Sequence, residues 1–284
     1  VLARHHGGSD IRECIGSLVR GTSYRNFEVV LVDSGESDPE RQAVFEELKS
    51  EYRLKLLRHE GEENVSVLHN AAARAVRGEY LLFLDNDIEV IRPEWLSRML
   101  GQAQLPHAGA VGAKLLFPSG ALQHAGLVCL PGKGMAPAFG GMPNATHYYH
   151  RTALDYNWLA VSGACLLVAR AKFEAVGGFD TALDSAWWDA DFCMKLVEAG
   201  FFNVCRSDAV LVHHEPRPCD TYWQAAADEP NPALERQRRH LFEKHRQLCQ
   251  CDPWYNPNFN QDNADFRYGR ISLRALFSGG RRRG

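Results

Sequence analysis

Two carboxylates separated by a single residue close an apolar run in the first third of the chain. Leu81–Leu84 precede Asp85, Asn86 and Asp87, and four apolar residues in a row are typical of a buried strand in a parallel sheet. Side chains two residues apart on extended backbone point to the same side, so the two aspartates can converge on one point. Such a pair suits a hard divalent cation that carries substrate phosphates. The alternative is a polar turn, in which Asp-Asn-Asp only reverses the direction of the chain and binds no ligand.

A second apolar run also ends in polar residues. Residues 27–32 predict a buried strand, and Asp33 and Ser34 follow it directly. Ligands of open α/β sheets bind beyond the carboxyl ends of the strands, so these residues are candidates for holding the base or ribose of a nucleotide. The alternative for Asp33 is an Asx-turn without a ligand. No glycine-rich dinucleotide motif and no P-loop is present, which disfavours a dinucleotide fold.

A tryptophan pair stands directly before an acid in the second half of the chain. Trp187 and Trp188 precede Asp189, and Asp191 follows two residues later, at the start of a predicted helix. Acids in a first helical turn are favoured by the helix dipole, so capping is one interpretation. The other is a sugar site, in which the aromatic faces and Asp191 hold a sugar and Asp189 acts on its hydroxyl group.

Two further segments contribute candidates. His213 and His214 end the apolar run Ala209–Val212, and with two carboxylates already suggesting a metal, either histidine becomes a candidate ligand. A strand-end histidine is also often just a satisfied polar residue. Gly163 and Ala164 interrupt an apolar stretch, which allows backbone to pass close to a ligand.

The elements that must position these residues alternate between strand and helix. The predicted strands span residues 1–3, 27–32, 54–57, 81–84, 110–117, 122–130, 202–205 and 209–212. The predicted helices span about 10–19, 39–50, 64–76, 93–103, 172–176, 189–198 and 229–245. The alternation through the first four strands predicts a parallel sheet with right-handed crossovers. Residues 131–157 show no period and predict a long loop.

Composition narrows the class of protein. The 284 residues are 45% hydrophobic and 24% charged, as in ordinary globular proteins, and the net charge of −3 argues against a nucleic-acid partner. No apolar run spans a bilayer and no signal-peptide pattern is present. The eight scattered cysteines indicate reduced thiols of a cytoplasmic protein, against the alternative of an extracellular disulfide framework. The chain begins at Val1, inside a predicted strand, so we expect this sequence to be part of a longer protein.

Eight segments, in this order, resemble family 2 glycosyltransferases of the GT-A fold, in particular bacterial enzymes that build O-antigen-type polysaccharides, including rhamnosyltransferases. These segments are residues 27–38, 77–87, 111–120, 123–126, 162–167, 176–180, 188–193 and 213–215. The resemblance implies an α/β nucleotide-diphospho-sugar transferase fold with a mostly parallel central sheet flanked by helices. Residues 1–228 would form the catalytic domain, and residues 229–284 would form a helix and an extended tail packing on it.

The resemblance also implies roles for the residues at the first strand ends. Asp33, with Ser34, would bind the nucleotide base or ribose. Asp85-Asn86-Asp87 would be the D-x-D motif of the donor site. Asp87 would be the direct ligand of Mn²⁺ or Mg²⁺, and Asp85, also counted as a ligand, would lie nearer the ribose.

Later positions receive roles in the same way. Asp189 falls where the family keeps its catalytic base, and His213 falls where some members place a further metal ligand, with His214 as the fallback. Gly163 and Ala164 would line the sugar pocket. The chain departs from the family at residues 3–6, which lack the usual proline, at Trp188, where the family has an acid, and at residues 216–219.

These observations predict an inverting, metal-dependent transfer of a sugar from a UDP-, dTDP- or GDP-linked donor to a hydroxyl of a glycan or lipid-linked acceptor, in bacterial surface polysaccharide synthesis. The predicted location is the cytoplasm, with peripheral contact at the inner membrane face or association with other transferase domains. Arg281–Arg283 read as a solvated end or as a contact with anionic lipid.

Two other functions compete with this prediction. One is a phosphatase of the haloacid-dehalogenase type, which also places Asp-x-Asp after an apolar strand. Phosphatases of this type have Thr or Val at the position where this chain has Glu89. The other is a catalytically degenerate domain that binds nucleotide-sugar or polysaccharide, which the departures at residues 3–6 and Trp188 favour.

Overall fold

A ten-stranded sheet forms the centre of the described part of the molecule. The structure is a computed structural model that describes residues 2–4, 11–33, 39–59, 64–214 and 231–269. The strands are β1 (Leu2–Arg4), β2 (Val30–Asp33), β3 (Lys55–Arg58), β4 (Tyr80–Asp85), β5 (Ile88–Val90), β6 (Ala108–Leu116), β7 (Leu122–His124), β8 (Leu127–Leu130), β9 (Gly134–Pro137), β10 (Tyr156–Trp158), β11 (Cys165–Ala169) and β12 (Phe202–His213). The helices are α1 (Ile11–Gly21), α2 (Pro39–Tyr52), α3 (Val65–Ala75), α4 (Trp95–Ala103), α5 (Arg170–Ala175), α6 (Trp188–Glu198), α7 (Pro232–Lys244) and α8 (Arg246–Gln250).

The first four strands form the parallel half of the sheet, in the order β4-β1-β2-β3. This arrangement confirms the parallel sheet predicted from the alternation of strands and helices. Arg4 at the end of β1 lies opposite both Val32 and Asp85. The carboxyl ends of β2 and β4 therefore meet at one edge of the sheet, with β1 between them.

The continuous apolar run of β4 is explained by burial on both faces of the sheet. Leu81 and Phe83 belong to the hydrophobic core on one face. Leu82 and Leu84 belong to a second core on the other face. A strand buried on both sides has no solvated face to alternate with, so its sequence reads as uninterrupted hydrophobicity.

The second half of the sheet brings a late strand back to the end of β4. β11 runs antiparallel to β4 and β6, while β12 runs parallel to β6 and antiparallel to β5. His213 at the end of β12 lies opposite Ile88. The backbone N–H of His214 donates to the carbonyl oxygen of Asp87 at 3.0 Å. Residues far apart in sequence thus meet beside the two aspartates.

Three predictions about strands in the second half were wrong. The predicted strands 202–205 and 209–212 are one strand, β12, with a register shift between Arg206 and Val210; a bulge of this kind interrupts the apolar pattern. The predicted strand 122–130 is two strands, β7 and β8, which separate at Gly126 with φ 128°. The predicted loop 131–157 contains β9, which pairs with β8.

The C-terminal helices pack against the segment that precedes α6. The amide oxygen of Gln237 on α7 accepts hydrogen bonds from the backbone N–H groups of Ser185 and Ala186. Further along, a carboxylate oxygen of Asp252 accepts from the backbone N–H of Cys129 at 2.9 Å. Residues 231–269 therefore contact the preceding fold, whereas Arg281–Arg283 lie outside the described residues.

Two sequence-based expectations concern the whole chain. The seven cysteines within the described ranges are free thiols, six of them buried, which agrees with the expectation of reduced cysteines; Cys219 lies outside those ranges. Among the described helices, none is both long enough and apolar enough to cross a bilayer.

Candidate active site

Two aspartates and a histidine converge where β4 and β12 end. Asp85, Asp87 and His213 each offer one ligand atom, and these atoms lie within 4.8 Å of one another. Nε2 of His213 is 2.9 Å from Oδ1 of Asp87 and 3.8 Å from Oδ2 of Asp85. The side chain of His213 is 7% exposed, that of Asp87 17% and that of Asp85 39%, so the trio opens to solvent on the Asp85 side.

The trio fits a divalent cation. Oδ1 of Asp87 is buried and has no hydrogen-bond partner among the described residues, although Nε2 of His213 is close. Burial opposes the ionised form of Asp87, but the neighbouring His213 outweighs that effect and holds the pKa of Asp87 below its usual value. Ionised carboxylates are the ligands that Mg²⁺ and Mn²⁺ prefer, and imidazole is a common ligand of transition metals. The arrangement is a candidate site for Mn²⁺ or Mg²⁺.

Gln123 on β7 sets the orientation of the histidine. Nδ1 of His213 and Oε1 of Gln123 are 2.7 Å apart, and both side chains are buried. An amide oxygen only accepts, so Nδ1 donates its hydrogen to Gln123, and Nε2 is the nitrogen that faces the aspartates. Outer partners of this kind orient metal-binding histidines. Gln123 was not a candidate from the sequence, because it lies 90 residues from His213 and no local pattern connects the two.

Replacing Gln123 with Ala is expected to weaken binding of Mn²⁺ by about 10–100-fold, the usual effect of removing an outer partner of a metal ligand. Titration calorimetry with MnCl₂ on the protein without nucleotide measures this affinity. Gln247→Ala is the matched control, since Gln247 is exposed on α8. Equal affinity in Gln123→Ala and wild type would show that Gln123 does not position His213.

Asp189 is held in a fixed orientation at the start of α6. It is 2% exposed. Its Oδ2 accepts the backbone N–H of Gly163 at 2.7 Å, and its Oδ1 accepts that of Ala190 at 2.8 Å. The next residue, Ala164, accepts the backbone N–H of Asp85 through its carbonyl oxygen at 3.0 Å. One short backbone segment therefore borders both the candidate base and the aspartates of the candidate metal site.

The side chain that Gly163 lacks would collide with the candidate base and its neighbour. A Cβ at this position would lie 2.2 Å from Cη2 of Trp188 and 3.1 Å from Cβ of Asp189. Gly163→Ala is therefore expected to lower the free energy of unfolding by about 1–3 kcal/mol, the usual cost of overpacking. Urea denaturation measures the change.

Gly101→Ala provides the matched control for this experiment. Gly101 lies on α4, and a Cβ there would meet nothing within 4 Å. Alanine is favoured over glycine inside a helix by roughly 1 kcal/mol, so this variant should be at least as stable as wild type. Equal stability of Gly163→Ala and wild type would contradict the close approach.

The two tryptophans lie in the core and not on the surface. Trp187 is 4% exposed and Trp188 is 9% exposed. The ring of Trp188 packs edge-on against His69 and Phe179, with centroids 4.7 and 4.9 Å away. This packing occupies the ring surface that the sequence pattern suggested for an acceptor sugar.

Trp187 combines two unusual features. Its φ of 55° lies in the left-handed region, which is rare for a bulky residue. Its buried Nε1 has no hydrogen-bond partner among the residues that the structure describes. Strain of this kind concentrates at functional sites, and here it stands two residues before the candidate base.

Asp191, also offered as an acceptor contact, is part of a buried charge network. It has no exposed side-chain surface, and it pairs with Lys195 at 3.3 Å, Lys244 at 2.6 Å and His245 at 2.9 Å. The sequence placed it correctly in the first turn of α6 but did not show the cations of α7. The ion pair with Lys244 joins α6 to α7, and the buried Asp191 has no surface that an acceptor could contact.

The two histidines at the end of β12 face different partners. His213 faces the aspartates, whereas Nε2 of His214 lies 2.8 Å from a carboxylate oxygen of Glu89, with both side chains exposed. Alternation of side chains along a strand accounts for the difference. His213 is thus the histidine that the structure brings to the trio, and the fallback His214 is not part of it.

The nucleotide-side candidates lie where the parallel strands end. Asp33 is 2% exposed at the end of β2, with Oδ2 3.7 Å from Nε of Arg58 on β3. Asn86 is 3% exposed between the two aspartates. Ser34 lies outside the described residues.

Comparisons with known proteins give a family match for this chain. The model of the family described as Glycosyl transferase family 2 matches residues 4–176. The chain is 35% identical over 265 residues to the O-antigen biosynthesis protein RfbC of Myxococcus xanthus, which covers 90% of this chain and 20% of RfbC. It is 27% identical to the N-acetylglucosaminyl-diphospho-decaprenol L-rhamnosyltransferase of Mycobacterium tuberculosis, over 76% of this chain and 75% of that protein.

The fold is also found among solved structures. The crystal structure of GalNAc-T7 with UDP, GalNAc and Mn²⁺ superimposes with a TM-score of 0.63 at 17% identity, covering 85% of this chain and 47% of that one. This similarity confirms the predicted GT-A fold. The chain spans 28% or less of the length of two curated relatives that it matches over 90% of its own length.

Proposed function

This chain belongs to the glycosyl transferase family 2, and from that premise we propose that it is an inverting, metal-dependent glycosyltransferase. It moves a sugar from a nucleoside-diphosphate sugar to a hydroxyl group of a glycan or lipid-linked acceptor. The observation that carries the proposal is the convergence of Asp85, Asp87 and His213 at one strand end. One backbone segment lies between this trio and Asp189, because Gly163 donates its N–H to Asp189 and Ala164 accepts the N–H of Asp85.

The donor lies along the carboxyl edge of the parallel strands. Asp33 and Asp85 end β2 and β4, and β1 runs between them, so they stand about 10 Å apart at the usual strand spacing. Asp33 binds the base or ribose, while Asp85, Asp87 and His213 would hold Mn²⁺ or Mg²⁺. When bound, the cation offsets the negative charge that grows on the leaving diphosphate.

Asp189 acts as the general base. The acceptor hydroxyl oxygen forms a bond to the anomeric carbon while the bond from that carbon to the diphosphate oxygen breaks and its electron pair leaves with the diphosphate. The hydroxyl proton passes to Asp189. Because attack occurs in line with the departing group, the configuration at the anomeric carbon inverts. The backbone N–H of Gly163 keeps one carboxylate oxygen in place for this transfer.

The names of two relatives support the proposed biological setting. One is named for O-antigen biosynthesis and another for rhamnosyl transfer to a diphospholipid-linked sugar. These names support a role in bacterial surface polysaccharide synthesis, with a UDP-, dTDP- or GDP-linked donor. The family match removes the phosphatase alternative. The intact trio and the fixed Asp189 favour turnover over a degenerate binding domain.

A thermal-shift screen of UDP-, dTDP- and GDP-sugars with Mn²⁺ tests the donor side of the proposal. A ligand that binds only the folded state raises the melting temperature, by an amount equivalent to about 2.7 kcal/mol at 100 times its dissociation constant. We expect one nucleotide class to raise the melting temperature, and EDTA to reduce the shift. No shift with any nucleotide-sugar would contradict the donor site.

A further inference from the structure

The entry segment of α6, residues 183–186, is held by a fully buried glutamine of α7. This residue is Gln237. Its amide oxygen accepts the backbone N–H groups of Ser185 and Ala186 at 3.3 and 3.2 Å. Its amide nitrogen donates to Oδ1 of Asp184 at 2.7 Å and to Oγ of Ser185 at 3.0 Å. One side chain of α7 therefore bonds three consecutive residues that lead into α6.

The first half of the entry segment is held by a different helix. The backbone N–H of Val65 on α3 donates to the carbonyl oxygen of Asp184 at 2.8 Å. The hydroxyl group of Ser66 donates to the carbonyl oxygen of Leu183 at 2.6 Å. The contacts with α3 thus fix the segment up to residue 184, and Gln237 fixes the backbone of the two residues that follow.

The residue after the entry segment makes its position important for the candidate base. Trp187 caps the N-terminus of α6 with a φ of 55°, and its side chain makes no capping hydrogen bond. A bulky residue keeps left-handed backbone angles only where the surrounding structure fixes them. Gln237 supplies this fixation on the entry side, because it bonds the N–H of Ala186 directly before Trp187. Asp189 lies in the helical turn that starts there.

The end of α7 also holds the residues that follow the candidate base. Asp191, two residues after Asp189, lies 2.6 Å from Nζ of Lys244 and 2.9 Å from Nε2 of His245. The chain is therefore tied to α7 and the residue after it on both sides of Asp189. Both α6 and α7 lie beyond residue 176, where the match with the family model ends.

We propose that Gln237 is a positioning residue of the transfer reaction, which sets the orientation of Asp189 by fixing the two residues before Trp187. The inference rests on the proposed function, because it takes Asp189 as the general base. A base must lie within hydrogen-bond reach of the proton that it takes. Gln237 acts through the entry segment and not on the substrate.

Gln237→Ala removes all four hydrogen bonds and tests the inference. We expect diphosphate release per nucleotide-binding site to fall about 10- to 100-fold, as misplacement of a reacting group by about 1 Å predicts. The probes are UDP-glucose, UDP-N-acetylglucosamine, dTDP-L-rhamnose and GDP-mannose with Mn²⁺. Calorimetric titration with UDP, dTDP or GDP and Mn²⁺ counts the sites. The affinity in this titration should equal that of wild type, because Asp33 and the trio are unchanged.

Two controls separate positioning from a loss of stability. Leu241 is fully buried on the same helix, so Leu241→Ala lowers the melting temperature through a cavity but keeps the amide of Gln237. Gln247→Ala removes an exposed glutamine of α8. We expect both controls to release diphosphate at the wild-type rate per site. An equal loss per site in Leu241→Ala and Gln237→Ala would overturn the inference, since the stability of α7 would then explain both.

An exchange of donor and acceptor provides a rescue experiment. Gln237→Glu places a carboxylate against that of Asp184, in place of the amide nitrogen that donates to it. We expect release per site to fall about tenfold or more. Adding Asp184→Asn restores an amide–carboxylate pair with the roles exchanged, so the double variant should recover most of the lost rate. Failure of this rescue would contradict the proposed contact.

The outcome for wild type distinguishes this inference from the proposed function. Absence of release from every probe by wild type would refute the proposed function and this inference with it. Release by wild type that is lost in Asp189→Asn but unchanged per site in Gln237→Ala would refute the role of Gln237 alone.

Discussion

Asp189→Asn is expected to lower kcat for sugar transfer by about 10²–10⁴-fold, the range that a positioned general base contributes. The reason is that an amide cannot take the proton of the acceptor hydroxyl, whereas the carboxylate can. Binding of the donor with Mn²⁺ should persist, because the proposed ligands Asp85, Asp87 and His213 are unchanged. Steady-state kinetics and calorimetric titration of the nucleotide measure the two effects separately.

The geometry around this residue requires a stability control. Both carboxylate oxygens of Asp189 accept backbone N–H groups, and the Asn amide nitrogen would face one of those donors. The melting temperature of Asp189→Asn is therefore recorded beside that of Asp262→Asn, in which the replaced side chain is 83% exposed. Undiminished turnover by a folded Asp189→Asn would refute its assignment as the base.

Asp87→Asn is expected to weaken binding of Mn²⁺ by more than the roughly 10–100-fold predicted for the outer residue Gln123, because it removes a direct ligand. Oδ1 of Asp87 is buried and lies 2.9 Å from Nε2 of His213. Transfer should fall with metal affinity, since the cation stabilises the leaving diphosphate. Calorimetry with MnCl₂ and a transfer assay at saturating Mn²⁺ check both expectations.

Asp262→Asn also serves as the control here, because it replaces an exposed carboxylate that pairs with Lys133 and is not part of the trio. Its Mn²⁺ affinity should equal that of wild type. If Asp87→Asn bound Mn²⁺ as tightly as the control, the trio would not be the metal site.

The parts of the site that local sequence pattern controls were predictable. The run before Asp85 is apolar because β4 is buried on both faces. The convergence of Asp85 and Asp87 follows from strand geometry, since side chains two residues apart point to the same side. His213 was also a candidate, because it ends an apolar segment. Neither the spacing nor the composition distinguished it from His214, since that choice depends on which face of β12 meets Asp87.

The parts that depend on contacts between distant segments were not predictable. Gln123 reaches His213 only because β7 and β12 both pair with β6. Asp191 resembled a surface acid until α7 brought Lys244 and His245 against it. A single sequence does not show which distant segments pack together. Roles predicted from residue type alone were therefore wrong where packing determines the role of a residue.

The same reason explains the tryptophans and a cavity. An aromatic pair beside an acid fits a sugar platform and a core equally well, and Trp188 lies in the core against His69. Residues 117–142 and 263–267 line one cavity together, and no local pattern indicates that these segments meet.

The most direct test of metal-dependent glycosyl transfer is release of nucleoside diphosphate from UDP-, dTDP- and GDP-sugars, measured with Mn²⁺ and with EDTA. The proposed mechanism predicts that at least one donor class yields diphosphate with Mn²⁺, that EDTA abolishes the release, and that Asp87→Asn and Asp189→Asn each lose it. Absence of release from every donor, or release that persists in full with EDTA, would contradict it.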